Sequence, residues 1–171
     1  GFEGGLYENA TYLGEKDTYP NGCHICEVEV DPETGEVKLD RYAVVDDVGT
    51  VMNPIGLKGQ IHGGVAQGVG QILGEQVVWD RESGQLLTAS FLDYTMPRAD
   101  MMCSVEVKSN PVPTKYNPLG AKGAGEAGTV GAMPVVMNAV IDALAPLGVR
   151  DMVMPATAQN VWRAIQAVKG A

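Results

Sequence analysis

Residues 23–49 read CHICEVEVDPETGEVKLDRYAVVDDVG, two β-rich runs on either side of a turn. In the first run, Glu27 and Glu29 alternate with apolar residues, which is the pattern of a half-buried strand. The letters DPETG at residues 31–35 favour a tight turn, because proline presets one φ angle and glycine closes the turn. The second run continues to Val45. This stretch therefore predicts a β-hairpin.

A glycine-rich helix follows the hairpin. Asn53 and Pro54 are typical of an N-cap and a first helical residue, and apolar residues recur at helical spacing through Leu73. Each glycine inside a helix costs up to about 1 kcal/mol relative to alanine. We therefore expect other backbone, or a ligand, to lie very close to the glycines of this helix, which are Gly59, Gly63, Gly64, Gly68 and Gly70.

The remaining segments predict further short elements. A second hairpin is expected around residues 82–84, and the letters SVEVK at 104–108 predict a short strand. Residues 109–128 predict a long ordered loop. An apolar helix is expected to begin near residues 131–134 and to end at Leu144, and Thr157 is expected to cap a last helix. The fold class is therefore α+β, with mixed β-hairpins packed with two to three helices.

Composition limits the possible functions. The chain has 171 residues, 45% hydrophobic and 19% charged, and we expect one domain over 1–171 with residues 1–21 as an arm or linker. The net charge of −9 argues against a nucleic-acid surface. No apolar run approaches the roughly 18 residues of a membrane span, and no leader is visible, so a cytoplasmic location is expected. The chain begins without methionine, which suggests a piece of something longer or one subunit of an assembly.

The loop GAKGAGEAGTVG, residues 120–131, contains the letters of a dinucleotide-binding turn and one carboxylate, Glu126. A dinucleotide turn follows a buried strand directly, whereas prolines precede this loop, so that interpretation is disfavoured. Two alternatives remain open. Glu126 is either a general base beside a glycine-rich turn, or a residue that caps the loop by accepting backbone N–H bonds.

Other candidate residues favour structural roles. Cys23 and Cys26 match C-x-x-C, but buried reduced thiols are expected rather than a metal site, because no second pair is present. His24 is expected to be packed or hydrogen-bonded. His62 is a candidate for positioning a cofactor or substrate, with a structural hydrogen bond as the alternative. Asp46 and its neighbour Asp47 are expected to cap or turn the chain at the end of a strand.

Two motifs carry a family resemblance. The Gly-Gln-x-x-Gly-Gly motif at 59–64 and the Lys-Gly-x-Gly-Glu motif at 122–126 occur in segments that cover most of residues 22–145. Together they resemble the C-terminal portion of the molybdenum-binding large subunit of the xanthine dehydrogenase, aldehyde oxidase and aerobic carbon monoxide dehydrogenase family. The resemblance implies a molybdopterin-binding domain.

The resemblance also implies roles for particular residues. Glu126 is expected to be the catalytic base, which takes a proton from a metal-bound hydroxyl that attacks an electron-poor carbon. Molybdenum is expected to be held by molybdopterin, in bacteria often as the cytosine dinucleotide, and by no protein ligand. The residues expected to contact this cofactor are Gln60, Gly63, Gly64, Gly123 and Gly125, with Lys122 and Thr129 as weaker assignments.

The implied function is a molybdenum hydroxylase that oxidises an aldehyde, a heterocycle or a related small carbon compound. The expected partners are the remainder of the subunit, and modules or subunits that carry 2Fe–2S clusters and FAD, in an oligomer. This chain alone is expected to be inactive. The alternative is a non-catalytic module derived from the same family, which acts in assembly or dimerisation.

Overall fold

The computed structural model describes residues 4–14 and 16–170. Three strands form one sheet in the order β1 (Asn21–Val30), β2 (Val37–Asp47) and β3 (Val105–Ser109). Strand β2 pairs antiparallel with β1 and parallel with β3. Residues 4–14 and 16–20 contain no helix or strand, and residues 1–3 and 15 of the predicted arm lie outside the described residues.

The first hairpin is confirmed. Gly35 closes its turn with φ +77°, and its amide donates to the carbonyl of Asp31 at 2.7 Å. The register shifts by one residue between Glu27 and Val28, which marks a β-bulge. The bulge decides which residues of β1 and β2 share a face, because successive side chains of a strand alternate.

Two of the three α-helices begin where their caps predict. Helix α1 (Pro54–Leu73) begins after Asn53, whose side chain accepts from the Gly56 amide at 2.9 Å. Helix α3 (Ala158–Lys169) begins after Thr157, whose hydroxyl accepts from the Asn160 amide. Two short 3₁₀ helices occupy Ala99–Met101 and Ala145–Leu147.

The predicted start of the second helix is wrong. Helix α2 spans Ala127–Leu144 and therefore begins several residues before the expected 131–134. The early start runs through Gly128 and Gly131 and keeps Pro134 inside the helix. Packing outweighs helix propensity here, because Gly128 lies directly against α1 and Gly131 lies against the ring of His24.

The core lies where α1, α2 and the sheet meet. Helix α2 packs on α1 and on β1. The core also includes residues of α3 and of the segment that precedes it, so the four parts form one hydrophobic cluster. Among the described residues, the core hydrophobic side chains that are completely buried are Ile61, Val65, Val69, Ile72, Ala132, Val136, Val140, Leu144, Val161 and Ile165.

The second predicted hairpin forms only as a turn. Gly84 has φ +71° and donates to Asp80, but Trp79 and Leu86 make one isolated bridge instead of two strands. Val77 and Trp79 are exposed, so this segment lacks the apolar packing that a two-stranded ribbon needs.

Helix α2 with its following turn, Ala127–Leu147, is by length and composition apolar enough to cross a membrane. No uninterrupted apolar run in this helix reaches the length of a membrane span, because Gly128, Thr129, Gly131, Pro134, Asn138 and Asp142 interrupt it. The aliphatic residues and methionines between them keep the mean hydropathy high. Val136 and Val140 of α2 belong to the core described above, which accounts for the apolar character of one face.

Candidate functional site

A cavity of about 630 Å³ lies between the sheet, the start of α2 and the end of the arm. The glycine-rich loop forms one wall and the ends of β1 and β2 form the opposite wall. The side chains and backbone that line it belong to Thr18, Tyr19, Pro20, Asn21, Gly22, His24, Asp46, Gly123, Ala124, Gly125, Glu126, Ala127, Val130 and Gly131. This set contains two carboxylates and no lysine or arginine.

Glu126 lies on the loop wall, immediately before α2. Its side chain makes no capping hydrogen bond to the helix, so the capping role considered from the sequence is absent. The unpaired amides of a helix N-terminus favour a negative charge at this position. The carboxylate is therefore free to act on a molecule in the cavity.

His24 and Asp46 lie on the sheet wall. The Nε2 atom of His24 is 3.4 Å from Oδ1 of Asp46, and Nδ1 is 2.7 Å from the hydroxyl of Tyr42. Burial, followed by Cys26, Asp46 and Cys103, raises the pKa of Tyr42, so this hydroxyl keeps its proton and can donate to His24. A buried hydrogen bond therefore joins Tyr42 to His24 beside the cavity, and the Asp46 carboxylate lies next to the other ring nitrogen of His24.

Two glycines make room for this group. A side chain at Gly131 would overlap the ring of His24, and one at Gly22 would overlap the carboxylate of Asp46. Gly22 pairs with Asp46 across the hairpin, so the close approach follows from the register. His24 on the sheet wall is therefore packed closely against α2 at Gly131.

Two buried polar atoms have no hydrogen-bond partner within the described chain. They are Oδ2 of Asp46 and Nε2 of His62. His62 lies in α1 between Gln60 and Gly63. Unpaired buried polar atoms are costly, and these two lie in different places, with Asp46 on the cavity and His62 on α1.

Lys122 lies just before the loop wall and is committed to an ion pair. Its Nζ atom is 2.5 Å from Oδ2 of Asp47, and both side chains are largely buried. The Lys122 amine, together with the Val112 and Gly49 amides, lowers the pKa of Asp47 from 3.8 to about 2. The stabilisation is therefore present above about pH 4 and is lost as pH falls through about 2.

The candidate residues of α1 do not line the cavity. Gln60 and Gly63 are on the exposed side of α1, and a side chain at Gly63 would meet nothing within 4 Å. Gly64 instead faces α2, where its carbonyl accepts from the hydroxyl of Thr129 at 3.0 Å. The structure thus brings Glu126, Gly123 and Gly125 together and leaves the α1 residues on a separate surface.

The cysteines have different surroundings from those expected. Cys23 is exposed and Cys26 is half-buried, so only Cys26 approaches the buried thiol that the sequence suggests. Burial, followed by Cys103 and Glu27, raises the pKa of Cys26 to about 12, which disfavours the metal-binding thiolate. Within residues 4–14 and 16–170, no group of three or more His, Cys, Asp and Glu side chains is placed to bind a metal ion.

The sequence patterns do not predict that His24 and Asp46 line the same cavity as Glu126. The turn at 31–35 fixes the hairpin approximately, but the register near His24 depends on the bulge at Glu27. The sequence feature that could have predicted this placement is the pair of glycines Gly22 and Gly131, which lie against Asp46 and His24. Both are glycines at positions where a strand or helix disfavours them.

Comparisons with known proteins show which family the chain resembles. The sequence profile of a molybdopterin cofactor-binding domain matches residues 3–103. Over 166 residues the chain is 38% identical to the carbon monoxide dehydrogenase large chain of Hydrogenophaga pseudoflava, a match that covers 97% of this chain and 20% of the relative. Over 168 residues it is 40% identical to the nicotine 6-hydroxylase large subunit of Paenarthrobacter nicotinovorans, covering 98% and 20% respectively.

A solved structure is also similar. Reconstituted carbon monoxide dehydrogenase from Oligotropha carboxidovorans matches with a TM-score of 0.84 and 35% identity, over 88% of this chain and 18% of that chain. The chain spans about a fifth of the length of the curated relatives it matches.

Proposed function

The chain belongs to the molybdopterin cofactor-binding domain family of the molybdenum hydroxylases, and from this membership we propose that it supplies the base of the active site. The base is Glu126. The observation that supports this role is a carboxylate that lies on a cavity at a helix N-terminus and makes no capping bond.

The residues present fit a flat polar cofactor. Nε2 of His62 is buried without a partner in the described chain, and the backbone at Gly63 and Gly125 is open to approach. Gln60, Gly63 and His62 would contact the cofactor from α1, and Gly123 and Gly125 would contact it from the loop. When bound, the molybdenum cofactor supplies the centre that accepts two electrons from the substrate.

The chain's own residues position a proton acceptor. Glu126 receives a proton at its carboxylate when the attacking oxygen, derived from water, is activated. The exposed glycines just before Glu126, Gly123 and Gly125, leave space for substrate and cofactor. His24 and Asp46 form the opposite wall.

The finer assignments extend this proposal. The substrate is an aldehyde, a heterocycle or a related small carbon compound, and the cofactor is the cytosine dinucleotide form. Electrons leave through 2Fe–2S and FAD modules on partner chains or domains. Oligomerisation and a cytoplasmic location stay predictions from the sequence.

The test is Glu126→Gln in the complete enzyme. Turnover should fall by at least about a hundredfold, because the base is lost, while molybdenum and pterin content stay unchanged. Carbon monoxide, nicotine and benzaldehyde serve as trial substrates, and Glu29→Gln, an exposed change on β1, is the matched control. Normal turnover of the Glu126 variant would refute the proposed role of Glu126 as the base.

A further inference from the structure

We propose that Lys122 is a positioning residue, which acts through Asp47 to place Glu126 and does not itself contact the cofactor. This inference rests on the proposed role of Glu126. It assigns to Lys122 a different task from the cofactor contact that the family resemblance implies.

One carboxylate connects three parts of the chain. Oδ2 of Asp47 pairs with the Lys122 amine at 2.5 Å, and the two side chains are 9% and 13% exposed. Oδ1 of Asp47 accepts from the amides of Gly49 at 2.8 Å and Val112 at 2.9 Å. Asp47 therefore connects the end of β2 to two parts of the loop at residues 109–128. Val112 lies near the start of this loop and Lys122 lies near its end.

Backbone hydrogen bonds place Lys122 at the same point. Its amide donates to the carbonyl of Val48 at 2.8 Å, and the Thr50 amide donates to the carbonyl of Gly120 at 2.9 Å. Gly49 and Gly120 have φ +65° and +67°, and a side chain at Gly49 would collide with the Gly120 carbonyl. The loop is thus fixed to the sheet as far as Lys122.

Beyond Lys122 the chain is less constrained. Only Gly123, Ala124 and Gly125 separate Lys122 from Glu126, and a side chain at Gly125 would meet nothing within 4 Å. The other side of Glu126 is fixed at Gly128, which packs against α1. Because glycine restricts the backbone little, the position of Glu126 depends on these two fixed ends.

The Lys122 amine is not available to contact a molecule in the cavity. It is paired with Asp47, and Lys122 is absent from the residues that line the cavity. Loss of the pair would widen the range of positions open to Glu126. Small errors in the position of a base lower the rate of the chemical step far more than they lower the affinity for substrate.

The test compares Lys122→Met, Asp47→Asn and the double variant in the complete enzyme. Each single variant should lower kcat by about tenfold to a hundredfold, with KM and pterin content unchanged. The double variant should be no worse than Asp47→Asn alone, because both changes remove one interaction. Lys122→Arg should restore part of kcat. Lys108→Met, which breaks an exposed ion pair with Glu106, is the matched control.

Other results overturn the inference. A fall in pterin content for Lys122→Met but not for Asp47→Asn would show that Lys122 binds the cofactor, and additive losses would show independent roles. If the variants do not fold, the structure of the wild-type holoenzyme decides, because Nζ must remain on Asp47 and not on the cofactor. Normal kcat in Lys122→Met beside an inactive Glu126→Gln enzyme would reject positioning while leaving the proposed function intact.

Discussion

The two sides of helix α1 use the same residue type in opposite ways. On the closed side, Gly64 and Gly68 face α2, and a side chain at Gly64 would lie 2.8 Å from the Thr129 nitrogen. On the open side, a side chain at Gly59 or Gly63 would meet nothing within 4 Å. A helix glycine costs stability in either place.

The difference separates a folding role from a binding role. The closed glycines are explained within this chain, because they allow α1 and α2 to approach backbone to backbone. The open glycines have no such explanation within the described residues. Their explanation is the group that approaches from outside, which we propose to be the cofactor.

The largest expected effect comes from breaking the closed side. In Gly128→Ala, the new methyl would lie 2.5 Å from the Ile61 carbonyl oxygen and 3.0 Å from the Val65 nitrogen. We expect destabilisation by about 2 to 3 kcal/mol, because backbone atoms cannot move aside easily. The melting temperature of the complete enzyme measures the effect. Gly125→Ala, which adds a methyl in open space, should leave the melting temperature of the cofactor-free enzyme nearly unchanged.

A smaller loss of stability is expected from Thr129→Val. This change removes the hydroxyl that donates to the Gly64 carbonyl across the closed side. Loss of one such bond should lower stability by about 1 kcal/mol. Thr129→Ser keeps the hydroxyl and should retain most of the melting temperature. A drop in pterin content with no change in melting would show that Thr129 serves the cofactor instead.

The smallest effect on stability, with opposite sign, is expected from Gly63→Ala. Alanine favours the helix by about 0.5 to 1 kcal/mol, and its methyl meets no atom of the chain. The melting temperature of the cofactor-free enzyme should therefore rise slightly, whereas pterin content should fall. Gly59→Ala, one turn earlier on the same open side, should have the same two effects. Full cofactor retention in Gly63→Ala would remove our explanation of the open side.

Local signals predicted most of the elements. The turn at 31–35, the cap at Asn53 and the cap at Thr157 depend on neighbouring residues only, and each element begins as expected. The start of α2 depends on a contact with α1 that lies more than sixty residues earlier in the chain. A local sequence pattern does not reveal that contact, so the predicted first residue of α2 lies too far along the chain.

The candidate site was predictable to a smaller extent. The motif at 122–126 indicated Glu126, but it did not show that the Lys122 amine is paired with Asp47. Likewise, the placement of His24 and Asp46 follows from a bulge that shifts the hairpin register by one residue. Such a shift exchanges the two faces of a strand, and alternation in the sequence alone does not reveal it.

The most direct measurement is the position of the Glu126 carboxylate relative to molybdenum in a structure of the complete, cofactor-loaded enzyme. We predict that the carboxylate faces the metal centre across the cavity, within reach of a proton transfer, and that the pterin lies against the open glycines. A carboxylate bonded to its own backbone amides, with the metal centre outside this cavity, would contradict the proposed role of Glu126.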